Sequence, residues 1–159
     1  MNDWETYIEQ QIIPQYAYFD TAHNIEHVRV VIKESLVLAE YCQVDKRLVY
    51  TIAAYHDIGM WKGRELHHQY SAEYMLSDEH LPKWFSQDDI ILMSEAVFDH
   101  RASAKQMPRS IYGKIIADAD RDLDANRVVS RAIQYSRSNY PNADKSFIYK
   151  LVKQHLQEK

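Results

Sequence analysis

The chain has 159 residues, which fits one domain and is long enough to bury a hydrophobic core. It is 46% hydrophobic and 26% charged, and its net charge of −4 argues against a general nucleic-acid binder. The single cysteine suits a reducing compartment, and neither a signal peptide nor a membrane span is evident, so we expect a cytoplasmic protein without membrane contact.

The apolar pattern predicts an all-α fold. The chain has only three glycines and four prolines, and it lacks the alternating segments that indicate strands. Apolar residues instead recur at intervals of three and four, as in Val28, Val31 and Leu38 and again in Ile90, Met93 and Val97. We therefore predict a single compact helical domain over 1–159, with about seven or eight helices.

The first three helices are predicted from caps and apolar spacing. The first begins near Asp3, a plausible N-cap, and the second covers about 24–41. Cys42 follows the second helix at the spacing of a core residue, so we expect it to be packed. The third helix opens at Asp45, and we predict that it ends at Gly59, because glycine favours helix C-termini.

The remaining helices follow at regular intervals. A fourth covers roughly 65–76 and ends before the helix-breaking Pro82. Ser86 and Asp89 have the spacing of a capping box, which predicts a fifth helix reaching Phe98. A sixth is predicted at about 110–121, a seventh at about 126–138, and a last one that contains Phe147, Leu151 and Leu156.

Histidines and aspartates recur near predicted helix ends. Eight histidines are present, and five segments combine them with aspartates: "HNIEHVRVV", "HDIGM", "ELHHQYSAEYM", "AVFDHRAS" and "IIADADRDLDANR". Imidazoles and carboxylates without thiolates suit Fe, Mn, Zn, Ni or Mg rather than a cysteine-rich structural zinc site. The sequence therefore suggests a divalent-metal site.

The adjacent pair His56 and Asp57 is the most informative of these segments. Neighbouring residues on a helix point about 100° apart, so they share no face, but both can reach one ion beyond the helix terminus. A carboxylate near a helix C-terminus also lies at the unfavourable end of the dipole, which a metal would offset. The alternative is a packed core histidine beside an ordinary polar residue.

The order of these motifs resembles the HD superfamily of metal-dependent phosphohydrolases. "HNIEHVRVV" resembles its first motif, "AAYHDIGM" its second and "ADADRDLDA" its last, over roughly 20–130. The resemblance implies that the core metal ligands are His27, His56, Asp57 and Asp120. Asp120 is preferred to Asp118 because a basic residue, Arg121, follows it, although "DRDLD" is one residue longer than the usual pattern.

Two further segments resemble motifs of the family members that bind two metals. "LHHQYSA" selects His67 over its neighbour His68, and "AVFDHRAS" selects His100. Asp57 would then bridge the two ions. A one-metal site remains open, in which His67 and His100 bind substrate phosphate instead.

The resemblance implies hydrolysis of a small phosphorylated substrate, with nucleotides among the candidates. The attacking group would be a water that is activated by a metal bound at Asp57. Lys62, Arg64 and Arg101 follow the metal motifs and are predicted to face the substrate phosphate. An HD-type di-iron oxygenase and a non-catalytic metal- or nucleotide-binding module are the alternatives. "HNIEH" also matches a zinc-peptidase pattern, with His23 and His27 as ligands and Glu26 as base, but this would leave "HDIGM" and "ADADR" unexplained.

Overall fold

The computed structural model describes residues 2–101, 106–121, 133–134 and 136–157. Every regular element in these ranges is helical, so the all-α prediction is confirmed. The chain divides into two compact units, residues 1–121 and 122–159. One domain over 1–159 stays a prediction.

The N-terminal segment is a continuous helical run whose hydrogen-bonding pattern changes. Helix α1 covers Asp3–Tyr7, so the predicted start is confirmed, but the N-cap is Asn2 and not Asp3. A π-helical turn at Ile8–Ile12 and a 3-10 helix at Ile13–Tyr18 follow. Ile8, Ile12 and Tyr16 are fully buried. This run therefore contributes directly to the core of the first unit.

Helix α3 lies at the centre of the first unit, and α2 packs against it. Helix α2 covers Ile25–Cys42 and begins where the Asn24 side chain accepts a hydrogen bond from the backbone N–H of His27 at 3.0 Å. Helix α3 covers Lys46–Tyr55 and is capped by Asp45. Every residue from 48 to 55 is buried, as expected for a helix surrounded by other elements.

Helix α3 is shorter than predicted, and Gly59 has a different role. The α-helix ends at Tyr55, and Gly59 lies in a 3-10 helix at Ile58–Lys62. A Cβ atom at Gly59 would lie 2.4 Å from the carbonyl oxygen of His67 and 2.5 Å from the backbone nitrogen of Ser71. Glycine is required here because two backbone segments approach closely, and not because it terminates a helix.

The other helices of the first unit bring distant parts of the chain together. Helix α4 covers His67–Ser77, α5 covers Gln87–Asp99 and α6 covers Ile111–Asp120. Ser86 and Asp89 form the predicted capping box of α5. Helix α5 packs against α3, α4 and α6, while α2 packs against α3 and α6. The ends of these helices consequently meet in one region.

Two other predictions have different outcomes. Cys42 is exposed and not packed, because it is the last residue of α2 and the chain turns at Gln43, which adopts a left-handed conformation. The predicted seventh helix, 126–138, lies largely outside the described residues. In the second unit, helix α7 covers Lys145–Gln157 and contains the predicted positions 147, 151 and 156, with Ile148 packed against Ile133 and Ala143.

Candidate metal centre

Asp57 lies at the turn between α3 and the following 3-10 helix, and its side chain is only 3% exposed. The buried hydroxyl of Tyr16 fixes this turn from the N-terminal run. It donates a hydrogen bond to the carbonyl oxygen of Ala54 at 2.9 Å and accepts one from the backbone N–H of Asp57 at 3.2 Å. Because the backbone is held on both sides, the carboxylate has a defined position.

A first group of donors surrounds one oxygen of Asp57. Its Oδ2 lies 3.2 Å from Nε2 of His56 and 3.4 Å from Nε2 of His27. Oδ1 of Asp120 lies 3.3 Å from the same nitrogen of His27. One donor atom from each of these four residues lies within 4.8 Å of the others, so the set can converge on a single ion.

A second group surrounds the other oxygen of Asp57. Its Oδ1 lies 3.2 Å from Nε2 of His67 and 3.4 Å from Nε2 of His100. The two histidine nitrogens are themselves 3.2 Å apart. The structure therefore brings together all six predicted ligands in two groups that share Asp57.

Backbone carbonyls orient three of the histidine rings. Nδ1 of His56 lies 2.7 Å from the carbonyl oxygen of Ala53, and Nδ1 of His100 lies 2.5 Å from that of Val97. For His67, the partner of Nδ1 is the carbonyl oxygen of Arg64, at 2.7 Å. Because a carbonyl can only accept, each Nδ1 carries the proton and each Nε2 is left to face the carboxylates or a metal.

The carboxylates at this centre remain ionised. Burial alone would raise the pKa of Asp57, but its charge interaction with His56 and its hydrogen bonds with His100 and His27 hold the pKa well below its usual range. Burial also acts against ionisation of Asp120, and the hydrogen bond from His27 is the main influence that lowers its pKa. Ionised carboxylates are the form that binds a cation.

Two of the histidines hold a proton more tightly than usual when no metal is bound. Burial opposes the charge on His27, but hydrogen bonds with Asp120 and Asp57 outweigh it and raise its pKa to about 9. For His100, burial is likewise outweighed by the hydrogen bond and charge of Asp57, and the pKa is raised. The protons occupy positions where a cation would otherwise balance the carboxylates.

The donor set fits a divalent metal. It combines imidazole nitrogens with carboxylate oxygens, is largely buried, and contains no thiolate. The first group offers four protein donors and the second offers three, which leaves room for water or substrate at each position. The described residues thus provide for up to two ions, and the identity of the metal is not fixed by these ligand types.

The two residues considered as alternative ligands, Asp118 and His68, lie outside the converging groups. The Asp118 side chain is 57% exposed and lies 3.3 Å from Arg121. The His68 ring lies between those of His67 and Phe98, and burial, followed by the charge of His67, lowers its pKa to about 4. Neither belongs to the two converging groups.

The three cationic side chains that we predicted to face the substrate phosphate already have partners within the protein. Lys62 lies over the rings of Trp61 and Tyr70, with its Nζ atom 4.8 and 4.2 Å from their centroids. Nε of Arg64 lies 3.6 Å from Oδ2 of Asp20. Arg101 donates a hydrogen bond to the carbonyl oxygen of Glu65 at 2.6 Å. Their predicted contact with substrate stays a prediction.

Sequence reasoning did not find the residues that support the ligands. Tyr16 belongs to an N-terminal helix without any metal motif, so nothing in its surroundings indicated a bond to Asp57. Ser71 accepts a hydrogen bond from the backbone N–H of Gly59 at 2.8 Å, which links the turn after Asp57 to α4. The ring of His23 lies 5.8 Å from that of His27 and 6.5 Å from that of His67. The zinc-peptidase pattern in "HNIEH" had named His23 as a ligand, but this residue belongs to neither of the two converging groups.

The comparison with protein families agrees with this geometry. The family model of the HD domain matches residues 24–124, which is more than half of the chain and includes all six predicted ligands. The chain belongs to the HD domain family. Resemblance to the HD superfamily, inferred from three motifs, is therefore confirmed.

A solved HD structure has a similar fold. The crystal structure of a predicted HD superfamily hydrolase from an uncultured Thermotogales bacterium matches with a TM-score of 0.62 and 25% sequence identity. The match covers 99% of this chain and 92% of the other. No curated protein matches the sequence. Among the described helices of this HD protein, none is both long and apolar enough to cross a membrane.

Proposed function

We propose that this HD protein is a metal-dependent phosphohydrolase that acts on a small phosphoester, with nucleotides among the candidate substrates. The observation that carries the proposal is the shared carboxylate of Asp57, whose two oxygens face two separate groups of histidines. A cytoplasmic location is part of the proposal, because a single cysteine suits a reducing compartment.

The ligands would hold the ions in place before substrate arrives. His27, His56, Asp57 and Asp120 would bind the first ion, and Asp57 with His67 and His100 would bind the second. A bound divalent ion supplies a water acidic enough to react near neutral pH and polarises a phosphoryl oxygen. The carbonyl bonds at the histidine Nδ1 atoms keep the rings aimed at this position, which limits reorganisation during reaction.

The negative charge of a phosphorylated substrate requires positively charged side chains in addition to the metal ligands. Arg64 is the best-placed candidate, because its own carbonyl contacts His67 and its side chain is 67% exposed. Lys62 lies in the segment that directly follows Asp57, but its position over two aromatic rings restricts its reach. We propose that these cations bind substrate phosphate, with Arg64 contributing the larger share.

The test begins with protein purified without chelators. Its metal content is measured, and phosphate release is then assayed with nucleotides and other phosphoesters in the presence of added Mn, Fe, Ni, Co, Zn or Mg. Phosphate release that depends on metal and is lost in Asp57→Asn would support the proposal. Asp118→Asn is the matched control, since its side chain is exposed and lies outside both donor groups.

The same assay separates the alternatives. Oxygen consumption with iron, together with no phosphate release from any substrate, would favour an HD-type di-iron oxygenase. Tight metal or nucleotide binding without turnover of either kind would favour a non-catalytic binding module. Either result would contradict the proposed phosphohydrolase.

A further inference from the structure

His67 differs from the other oriented ligands in where its supporting carbonyl lies. His56 and His100 bond to Ala53 and Val97, which belong to the helices that immediately precede them. His67 bonds to Arg64, which lies before the first residue of α4. The orientation of His67 consequently depends on an irregular segment, residues 63–66, and not on a helix.

The segment 63–66 has little packing of its own to hold it. All four of its residues are exposed, and Gly63 adopts a positive φ of 102° with no atom within 4 Å of the position that a Cβ would occupy. The ion pair between Arg64 and Asp20 joins side chains that are 67% and 46% exposed, and such a pair adds little stability. A further contact is needed to explain a fixed carbonyl at Arg64.

Arg101 provides that contact. Its guanidinium donates to the carbonyl oxygen of Glu65, the residue that follows Arg64, at 2.6 Å. Adjacent carbonyls therefore accept hydrogen bonds from Arg101 and from the ligand His67. Arg101 also directly follows His100, so one side chain joins the end of α5 to the segment that precedes α4.

We infer that Arg101 is a positioning residue for the second metal site, which it maintains by fixing the 63–66 segment against the end of α5. The inference rests on the proposed metal-dependent function. It requires no contact between Arg101 and the metal. Loss of this arginine lets His67 turn away from His100 and Asp57, while His27, His56 and Asp120 keep their arrangement.

The test is a titration of metal-free protein with Mn²⁺ alone. Calorimetry and Mn²⁺ electron paramagnetic resonance measure how much metal binds at each step. Arg101→Gln is compared with the wild-type protein, with Arg101→Lys and with Arg47→Gln. Arg47 is the control arginine because its guanidinium also donates a hydrogen bond, here to the Asp45 side chain, but at the start of α3. Circular dichroism of the metal-free variants verifies that each is folded.

The expected result is selective. Arg101→Gln should weaken the second equivalent of Mn²⁺ by about 10- to 100-fold, the range typical for losing a residue that supports a metal ligand, and leave the first unchanged. Arg101→Lys should recover part of the loss, since an ammonium can still donate to Glu65. Arg47→Gln should bind both ions as the wild-type protein does.

Several results would overturn the inference. Unchanged binding of two ions in Arg101→Gln would do so, and a higher KM with unchanged metal binding would assign Arg101 to substrate instead. Equal weakening of both ions, or a lower melting temperature of the metal-free variant, would indicate a merely structural role. Wild-type protein that binds one ion would overturn the inference alone, whereas wild-type protein that binds none would overturn the proposed function as well.

Discussion

Nε2 of His27 lies 3.3 Å from Oδ1 of Asp120, although the two residues stand at opposite ends of the family match. The contact forms because α2 and α6 pack together, which places the first turn of one helix beside the last residue of the other. Asp118, two residues earlier on α6, points about 200° away around the helix and is exposed. The choice between these aspartates has a direct experimental test.

Asp120→Asn should weaken binding of the first ion much more than Asp118→Asn. The amide is a poorer donor to a cation, and only Asp120 lies within the first group of ligands. We expect Asp120→Asn to lower the metal affinity by about tenfold or more, because loss of a residue that merely supports a metal ligand already has an effect of this size. Calorimetric titration measures both variants, and a larger effect of Asp118→Asn would reverse the assignment.

Asp57→Ala should lose both ions and leave the helical fold intact. Each oxygen of Asp57 serves a different group, so one substitution affects both groups. Metal analysis of the purified variant gives the stoichiometry, and circular dichroism reports on the fold. Retention of one full equivalent would show that Asp57 is not shared.

His67→Ala and His100→Ala should each remove one equivalent of metal and leave the other. Both histidines face Oδ1 of Asp57, and neither belongs to the four-residue group around Oδ2. Activity should fall strongly, because a second ion stabilises an attacking or leaving oxygen. His80→Ala is the control, since His80 is half exposed and bonds to Asp78 outside both groups. Wild-type stoichiometry of one under metal excess would contradict a two-metal site.

Gly59→Ala should destabilise the fold by about 1–3 kcal/mol or more, because the added methyl group would overlap the backbone of α4. The backbone that must move includes the carbonyl of His67, so the second ion should also bind more weakly. Gly63→Ala is a useful comparison, since its cost arises from a positive φ and no atom lies near the new methyl group. Denaturant unfolding and metal titration should show the larger combined effect for Gly59→Ala.

Metal binding at pH 7 should release about one proton from His27. Its pKa of about 9 in the metal-free protein lies above the ordinary value of 6.5, so the ring is protonated at pH 7 and must lose the proton to bind an ion. The stabilising contact of protonated His27 with Asp57 and Asp120 is complete below pH 6.5 and is lost as the pH rises through about 9. Metal affinity should therefore increase between pH 7 and 9.

Calorimetry in two buffers of different ionisation enthalpy measures the released proton. Identical heats in both buffers at pH 7 would contradict the prediction. Because the pKa of His100 is also raised, the second ion should show a dependence in the same direction.

The sequence predicted the helices and the ligands better than it predicted their supports. Caps such as Asp45 and the Ser86–Asp89 capping box are local, so a few neighbouring residues specify them. Four ligands followed from three motifs whose order matches the HD superfamily, and His67 and His100 followed from two further segments that resemble it. The close approach at Gly59 depends instead on α4, which begins eight residues later, and apolar spacing carries no information about such a contact.

Tertiary partners explain the other differences. Cys42 has core spacing, but α2 ends at this residue, and periodicity does not show where neighbouring helices stop. Tyr16 reaches Asp57 from a separate helical run, a contact that no local pattern predicts. Contacts between residues that are far apart in the sequence are therefore identified from the structure and not from local patterns.

A carboxylate that divides its oxygens between two groups also couples the filling of those groups. An ion held beside Oδ2 of Asp57 would withdraw electron density from the carboxylate and would leave Oδ1 a weaker donor. Two bound ions would consequently oppose each other electrostatically, so their dissociation constants would differ even with otherwise equal ligands. Loading would be stepwise and anticooperative, and dilution or mild chelation would yield a half-loaded protein before a metal-free one.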